Sequence, residues 1–218
     1  MIKSIMNKLV RDGSKLPISK SNMAKKKDIK KERLAPQKDA PDIYTKGIYR
    51  TPAQMSKVNA FGSHFISPAH QGGIKHAVDF YMPKGTMVIA PASGTISAIK
   101  QDSNVHGLTK KYWAQGNFVQ IKCSNDEYVS MEHLCHNFAR VLGIKIGQGV
   151  KVGDIVGISG MTGFAEFPHT HMEVLVYTGP RNSKRAMQNW RNYVTRKIRF
   201  NKKDIPFNLY AEEGKKLV

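Results

Sequence analysis

The sequence is short of three things. Cysteine occurs only as Cys123 and Cys135. Two thiols exclude a disulfide-dense scaffold, and neither stands in the paired spacing of a zinc knuckle. Long apolar runs are missing, and nothing approaches the ~20 residues that a membrane-spanning helix needs. Acidic residues are scarce, with 16 Asp plus Glu against 35 Lys plus Arg and a net charge of +19 over 218 residues. Apolar residues are not short: 40% are hydrophobic and 23% charged, which excludes wholesale disorder and allows a globular core.

The charge is unevenly placed. Residues 1–50 hold 14 basic and 5 acidic residues (net +9), residues 51–180 hold 10 and 8 (net +2), and residues 181–218 hold 11 and 3 (net +8). A nearly neutral middle therefore carries two basic ends. The middle reads as the folded domain, over 51–180. The ends read as a basic N-terminal arm (1–50) and a basic C-terminal extension (181–218), suited to polyanions such as nucleic acid or an anionic wall polymer. Residues 1–11 are too often interrupted by charge to form a secretory core segment, and Met23 opens a second plausible start. Residues 1–45 are expected to be mostly arm with at most one helix.

From about residue 85 the pattern is β. Short apolar runs at 85–91, 94–99, 117–123, 127–134, 155–159 and 169–177 alternate with Gly, Pro, Asn and Asp. Residues 124–126 (Ser124, Asn125, Asp126) read as a hairpin turn, and 149–154 as a tight element between strands. The spacing predicts a mainly β, antiparallel sheet or sandwich. After Pro180 the pattern changes. Met187, Trp190, Val194 and Ile198 stand near helical spacing, which predicts a basic amphipathic helix over 183–200.

Eight histidines are present, and their arrangement matters more than their number. His169 and His171 are two apart, so on a strand they share one face. A zinc site can use such a pair with one ring as ligand and the other free for proton transfer; taken alone, the spacing reads more readily as a pair of exposed strand histidines. His133 ends a predicted neighbouring strand. Asp79 closes another predicted strand, ahead of a Pro-Lys-Gly-Thr corner.

Together these pieces resemble the lysostaphin-type (LytM-type) zinc metalloendopeptidases. The resemblance rests on Asp79 ahead of Pro83, Gly85, Thr86 and Val88, then Glu132-His133-Leu134. A glycine-rich stretch over 150–163 follows, then Pro168-His169-Thr170-His171-Met172-Glu173. It covers about residues 62–178 and neither arm. It implies the duplicated hybrid motif, a barrel-sandwich hybrid, and a Zn2+ ion held by Asp79 and His171. His169 and His133 are implied to be the catalytic pair that positions and deprotonates the attacking water. The third ligand departs from the commonest pattern, because Lys75 stands four residues before the Asp. His70, nine before it in the context His-Gln-Gly-Gly, matches a second pattern seen in the family and is the preferred ligand. His76 is the alternative and His64 a distant third. Met172 replaces the usual Phe, and Phe164 and Phe167 replace a small, Ser-rich approach to Pro168.

The implied activity is hydrolysis of a peptide bond in the stem or cross-bridge of bacterial peptidoglycan. The competing reading is a non-catalytic member of the same fold, carried in a virion or nucleoprotein that the basic arms dock onto. With no signal peptide or transmembrane helix read, a virion-associated or lysis-released enzyme acting at the wall is expected.

Overall fold

The structure is a computed structural model, described for residues 40–63, 69–179, 192–206 and 208–210. Ten strands follow in chain order: β1 (Ala60–Gly62), β2 (Val78–Tyr81), β3 (Met87–Ile89), β4 (Gly94–Lys100), β5 (Phe118–Lys122), β6 (Glu127–Glu132), β7 (Gly149–Val150), β8 (Ile155–Ile158), β9 (His169–Tyr177) and β10 (Tyr193–Thr195). Every pairing between them is antiparallel. The large sheet has the order β1-β2-β9-β6-β5-β4-β7, with β10 also on β9; β3 and β8 form a second, two-stranded sheet. The mainly β expectation therefore holds. Among the described residues the α-helical element is α1 (Phe138–Leu142). No helix there is long and apolar enough to cross a membrane.

The alternation in the sequence decides which face is which. Val119 and Ile121 on β5, Val129 and Met131 on β6, and Met172 and Val174 on β9 point into one core. Val88 of β3 and Val156 and Ile158 of β8 join that cluster, so the small sheet covers this face. The opposite face carries the intervening residues, among them His169, His171 and Glu173 of β9 and Ser130 and Glu132 of β6. The β5–β6 hairpin turns at Asp126, whose φ of +63° is a conformation that Asp tolerates.

Two expectations need correction. Residues 193–200 are not helical: Tyr193, Val194 and Thr195 pair with Tyr177, Val176 and Leu175 as β10. The nine-residue β9 outruns β2, so its second half offers unpaired backbone groups that β-branched and aromatic residues are suited to meet. Residues 183–191 of the predicted helix lie outside the described residues, as do residues 1–39 of the arm. The boundaries at 50 and 180 also do not mark the edges of the packed unit. Tyr49, Ile198, Ile205, Leu209 and Tyr210 are buried in the same core as the central strands. Thr45 N–H donates to Lys197 O (2.9 Å), Lys197 N–H to Ile43 O (2.9 Å) and Tyr49 N–H to Arg199 O (2.9 Å). The flanking segments thus clasp each other across the sheet.

Candidate active site

Strand register builds the site. Asp79 on β2 lies directly opposite His171 on β9, and Tyr81 opposite His169. On the other edge of β9, Glu132 of β6 lies opposite His171. His133 follows immediately with φ +61°, a left-handed conformation that turns it out of the strand. A non-glycine residue there is strained and persists only when its surroundings fix it. They do: Asn117 Nδ2 donates to Leu134 O (3.3 Å) and Cys135 O (3.2 Å), and Thr162 Oγ1 donates to Leu134 O (2.8 Å). His70 arrives from the loop just before a 3-10 turn, Gly72–Ile74.

Three donor atoms converge. His70 Nε2 is 3.2 Å from Asp79 Oδ1 and 3.1 Å from His171 Nδ1, and His171 Nδ1 is 2.9 Å from Asp79 Oδ1. All three residues are buried. Hydrogen bonds from His171 and His70 hold the Asp79 carboxyl well below the usual carboxylate range, although its burial alone would raise it. The donor set fits zinc: for metal–ligand bonds of ~2.0–2.1 Å, tetrahedral geometry separates ligand atoms by about 3.3 Å. Two imidazole nitrogens and one carboxylate oxygen also leave a fourth position open, as catalytic sites do.

The other two histidines share a common arrangement. His133 Nδ1 lies 2.7 Å from Thr162 O, and His169 Nδ1 lies 2.8 Å from Phe167 O. A carbonyl oxygen only accepts, so each Nδ1 carries the proton and donates it. Each Nε2 keeps its lone pair. The rings stand 4.5 Å apart between centroids, and His169 Nε2 is 3.6 Å from Asp79 Oδ1. Burial, with His169 and His171 beside it, pushes His133 down to about 3; burial also lowers His169. Both rings are therefore neutral.

His76 sits elsewhere. Its Nε2 is 3.1 Å from Pro41 O and 3.3 Å from Asp42 Oδ1, and its ring meets Tyr210 edge-on at 6.0 Å. His64 lies outside the described residues. Of the candidates, the structure brings together His70, Asp79, His133, His169 and His171.

Sequence reasoning gave no role to Asn117 and Thr162, which fix the His133 turn, nor to Glu132 and Glu173. Glu132 is pushed up to about 7 by burial and then by the charge of Glu173. A signal was present for the glutamates: each stands one or two residues from a candidate histidine on a predicted strand. At the rim Trp113, exposed, meets Phe164 edge-on at 5.8 Å, and Phe167 is exposed beside them in sequence.

Residues 73–184 match Peptidase family M23. The chain is 33% identical over 119 residues to an uncharacterized metalloprotease of Buchnera aphidicola, covering 53% of this chain and 26% of that protein. It is 32% identical over 111 residues to the peptidoglycan DD-endopeptidase ShyA of Vibrio cholerae, covering 51% of this chain and 22% of that protein. The chain thus spans about a quarter of these relatives' length. Among solved structures, the catalytic domain of lysostaphin from Staphylococcus simulans is 27% identical, covering 60% of this chain and 79% of that one, with a TM-score of 0.36. With a family match over half its length and a buried His/Asp donor cluster within it, the chain belongs to peptidase family M23, the zinc-dependent metallo-endopeptidases.

Proposed function

We propose that the protein hydrolyses peptide bonds in bacterial peptidoglycan, with zinc held by His70, Asp79 and His171 and with His133 and His169 as the catalytic pair. Support for the substrate comes from the relative ShyA, named a peptidoglycan DD-endopeptidase. The observation that carries the mechanism is the pairing of His133 and His169, each tied through Nδ1 to a backbone carbonyl and each presenting a free Nε2. Bound zinc would polarise the scissile carbonyl and lower the pKa of its water to about 7.

His169 Nε2, beside Asp79, takes the proton of the attacking water and returns it to the leaving amine. Once protonated, it is stabilised by the Asp79 carboxylate 3.6 Å away. His133, fixed by the turn at φ +61°, orients the water by accepting a hydrogen bond from it at Nε2. Both roles need rings that start neutral with Nε2 free to accept, which burial secures. The intact donor set favours this reading over a non-catalytic member.

The test pairs zinc content with hydrolysis of purified walls. His171→Ala is expected to lose both. His133→Ala is expected to keep one zinc per chain and to lose about 10²–10⁴-fold in rate, the range of general acid–base contributions. Full activity in either variant overturns the mechanism.

A further inference from the structure

Strand β9 runs through the site from one side to the other. His169 opens it, His171 of the donor cluster follows, and Glu173 and Leu175 continue into a groove of about 460 Å³. The catalytic pair therefore has that groove on one side. On the other side Phe167 stands two residues before His169, and its carbonyl fixes that ring. Two connecting segments meet there, residues 102–116 and 161–168. Gly163 N–H donates to Val105 O (2.9 Å), and Gly107 N–H donates to Gly163 O (3.1 Å). The segments touch at two glycines: a Cβ on Gly163, which holds φ +87°, would come within 2.6 Å of Gly116 Cα. A Cβ on Gly116 would in turn lie 3.8 Å from His133 Nδ1. The junction is thus built directly against both catalytic histidines.

This junction carries aromatic surface that the core does not use. Trp113 is 56% exposed and Phe167 59% exposed. Trp113 meets Phe164 edge-on at 5.8 Å, so one ring braces the other and leaves more than half of Trp113 to solvent. Large rings held in water beside a catalytic site mark a contact surface. Shape and charge narrow what covers it. An aliphatic side chain asks for a concave pocket, whereas these rings stand out from the surface. Residues 51–180 hold 10 basic and 8 acidic residues, a net of +2, against +9 and +8 in the two ends. The rim therefore belongs to the part of the chain least suited to a polyanion or an anionic membrane. A neutral occupant with a flat apolar face and polar edges fits better. A pyranose ring has C–H groups on its face and hydroxyl or acetamido groups around it. Lys110 and Glu166, exposed in the same two segments, offer a donor and an acceptor for those edges.

We propose that Trp113 and Phe167 form a stacking platform for a sugar ring of the glycan strand of peptidoglycan. The stem peptide then leaves the glycan at the platform, crosses His169 and His171, and continues into the groove. The platform makes the enzyme selective for peptides still attached to glycan over the same peptides set free. Its two segments are tied by backbone hydrogen bonds before substrate arrives, so little ordering is left for binding to supply. The proposal rests on the peptidoglycan reading, and its binding test is independent of hydrolysis.

The probe is chitotetraose, a neutral chain of β-1,4-linked N-acetylglucosamine that carries no peptide. It is titrated into the full-length, zinc-loaded protein and followed by tryptophan fluorescence and NMR. Saturable binding to the wild type is expected. Trp113→Ala and Phe167→Ala are each expected to weaken it about fivefold to tenfold, the range for one aromatic contact. Trp113→Tyr is expected to keep most of the affinity, and Trp113→Leu to lose as much as Ala, because stacking needs a flat ring. With soluble wall fragments, the wild type is expected to show a KM about tenfold lower for glycan-bearing stem peptide than for free peptide, and Trp113→Ala to narrow that gap. Absence of chitotetraose binding to the wild type overturns the proposal, and that titration decides even if a variant fails to fold. Trp113→Leu binding as well as wild type also overturns it, since the rim would then serve apolar side chains. So does Trp113-dependent binding of phosphatidylglycerol vesicles in place of chitotetraose. Wall hydrolysis without chitotetraose binding would remove the platform and leave the peptidase standing. Chitotetraose binding without wall hydrolysis would do the reverse.

Discussion

At the scale of single residues, His70 and His76 make the sharpest contrast. They are six positions apart and chemically identical. His70 Nε2 meets Asp79 and His171 at hydrogen-bonding distances, whereas His76 Nε2 faces Pro41 O, so the ring donates to a carbonyl. Burial lowers the His76 pKa and keeps the ring neutral. Its backbone carbonyl accepts from Tyr210 Oη at 2.8 Å. One histidine therefore belongs to the donor cluster and the other to the clasp between residues 40–50 and 192–210. His70→Ala is expected to abolish zinc retention. His76→Ala is expected to keep one zinc per chain and to lose about 1–3 kcal/mol, the cost of a lost bond and a small cavity. Elemental analysis and a denaturant melt on both proteins check this; zinc loss in His76→Ala would overturn the assignment.

At the scale of elements, the sequence was most readable where alternation is local. Val119 and Ile121 against Phe118, Gln120 and Lys122 mark β5 and its core face without any structure. The turn chemistry of Asn125 and Asp126 marks the hairpin. The His-x-His spacing on β9 rightly put both rings on one face, because side-chain direction follows from a period of two. β10 was not readable, since its partner, the free half of the β9 edge, exists only once β2 has paired with the first half. Met187, Trp190, Val194 and Ile198 then read as a helix. The turn at His133 was equally hidden. It depends on Asn117, which bonds Ser103 O, Leu134 O and Cys135 O from one buried side-chain amide. No local pattern distinguishes that Asn from an ordinary strand start. Asn117→Ala leaves three carbonyls without this donor and loosens the segment that aims His133. The expected result is a loss of about 2–4 kcal/mol in stability, with kcat falling more than KM rises at temperatures where the protein is still folded. A KM defect with unchanged kcat would show that Asn117 does not position the catalytic ring.

At the scale of the whole molecule, the clasp between residues 40–50 and 192–210 joins the ends of the packed unit to the sheet that carries the site. Its centre is Glu127, at the start of β6 and 1% exposed. The carboxylate accepts from Lys46 N–H (2.6 Å), Gly47 N–H (2.9 Å), Tyr49 Oη (2.9 Å) and Asn125 Nδ2 (2.7 Å). Those four donors make burial of its charge tolerable. They also bind the 40–50 segment to the same strand whose far end leads to His133. Replacing Glu127 by Ala removes the acceptor of all four bonds at once and leaves two backbone N–H groups, a phenol and an amide to find water in a tight space. The expected loss is about 3–5 kcal/mol, a large share of the 5–15 kcal/mol that folded domains possess. Glu127→Gln keeps the shape and one acceptor oxygen, and is expected to lose less than half as much. Urea unfolding of the two variants, with hydrogen exchange at Tyr49 N–H and Lys197 N–H, reads the result. Those amides are expected to exchange at the rate of global unfolding in the wild type and much faster in Glu127→Ala. If Ala and Gln were equally mild and both amides stayed protected, the clasp would be held by its backbone bridges and by the burial of Tyr49, Ile198 and Ile205, and Glu127 would be incidental to it.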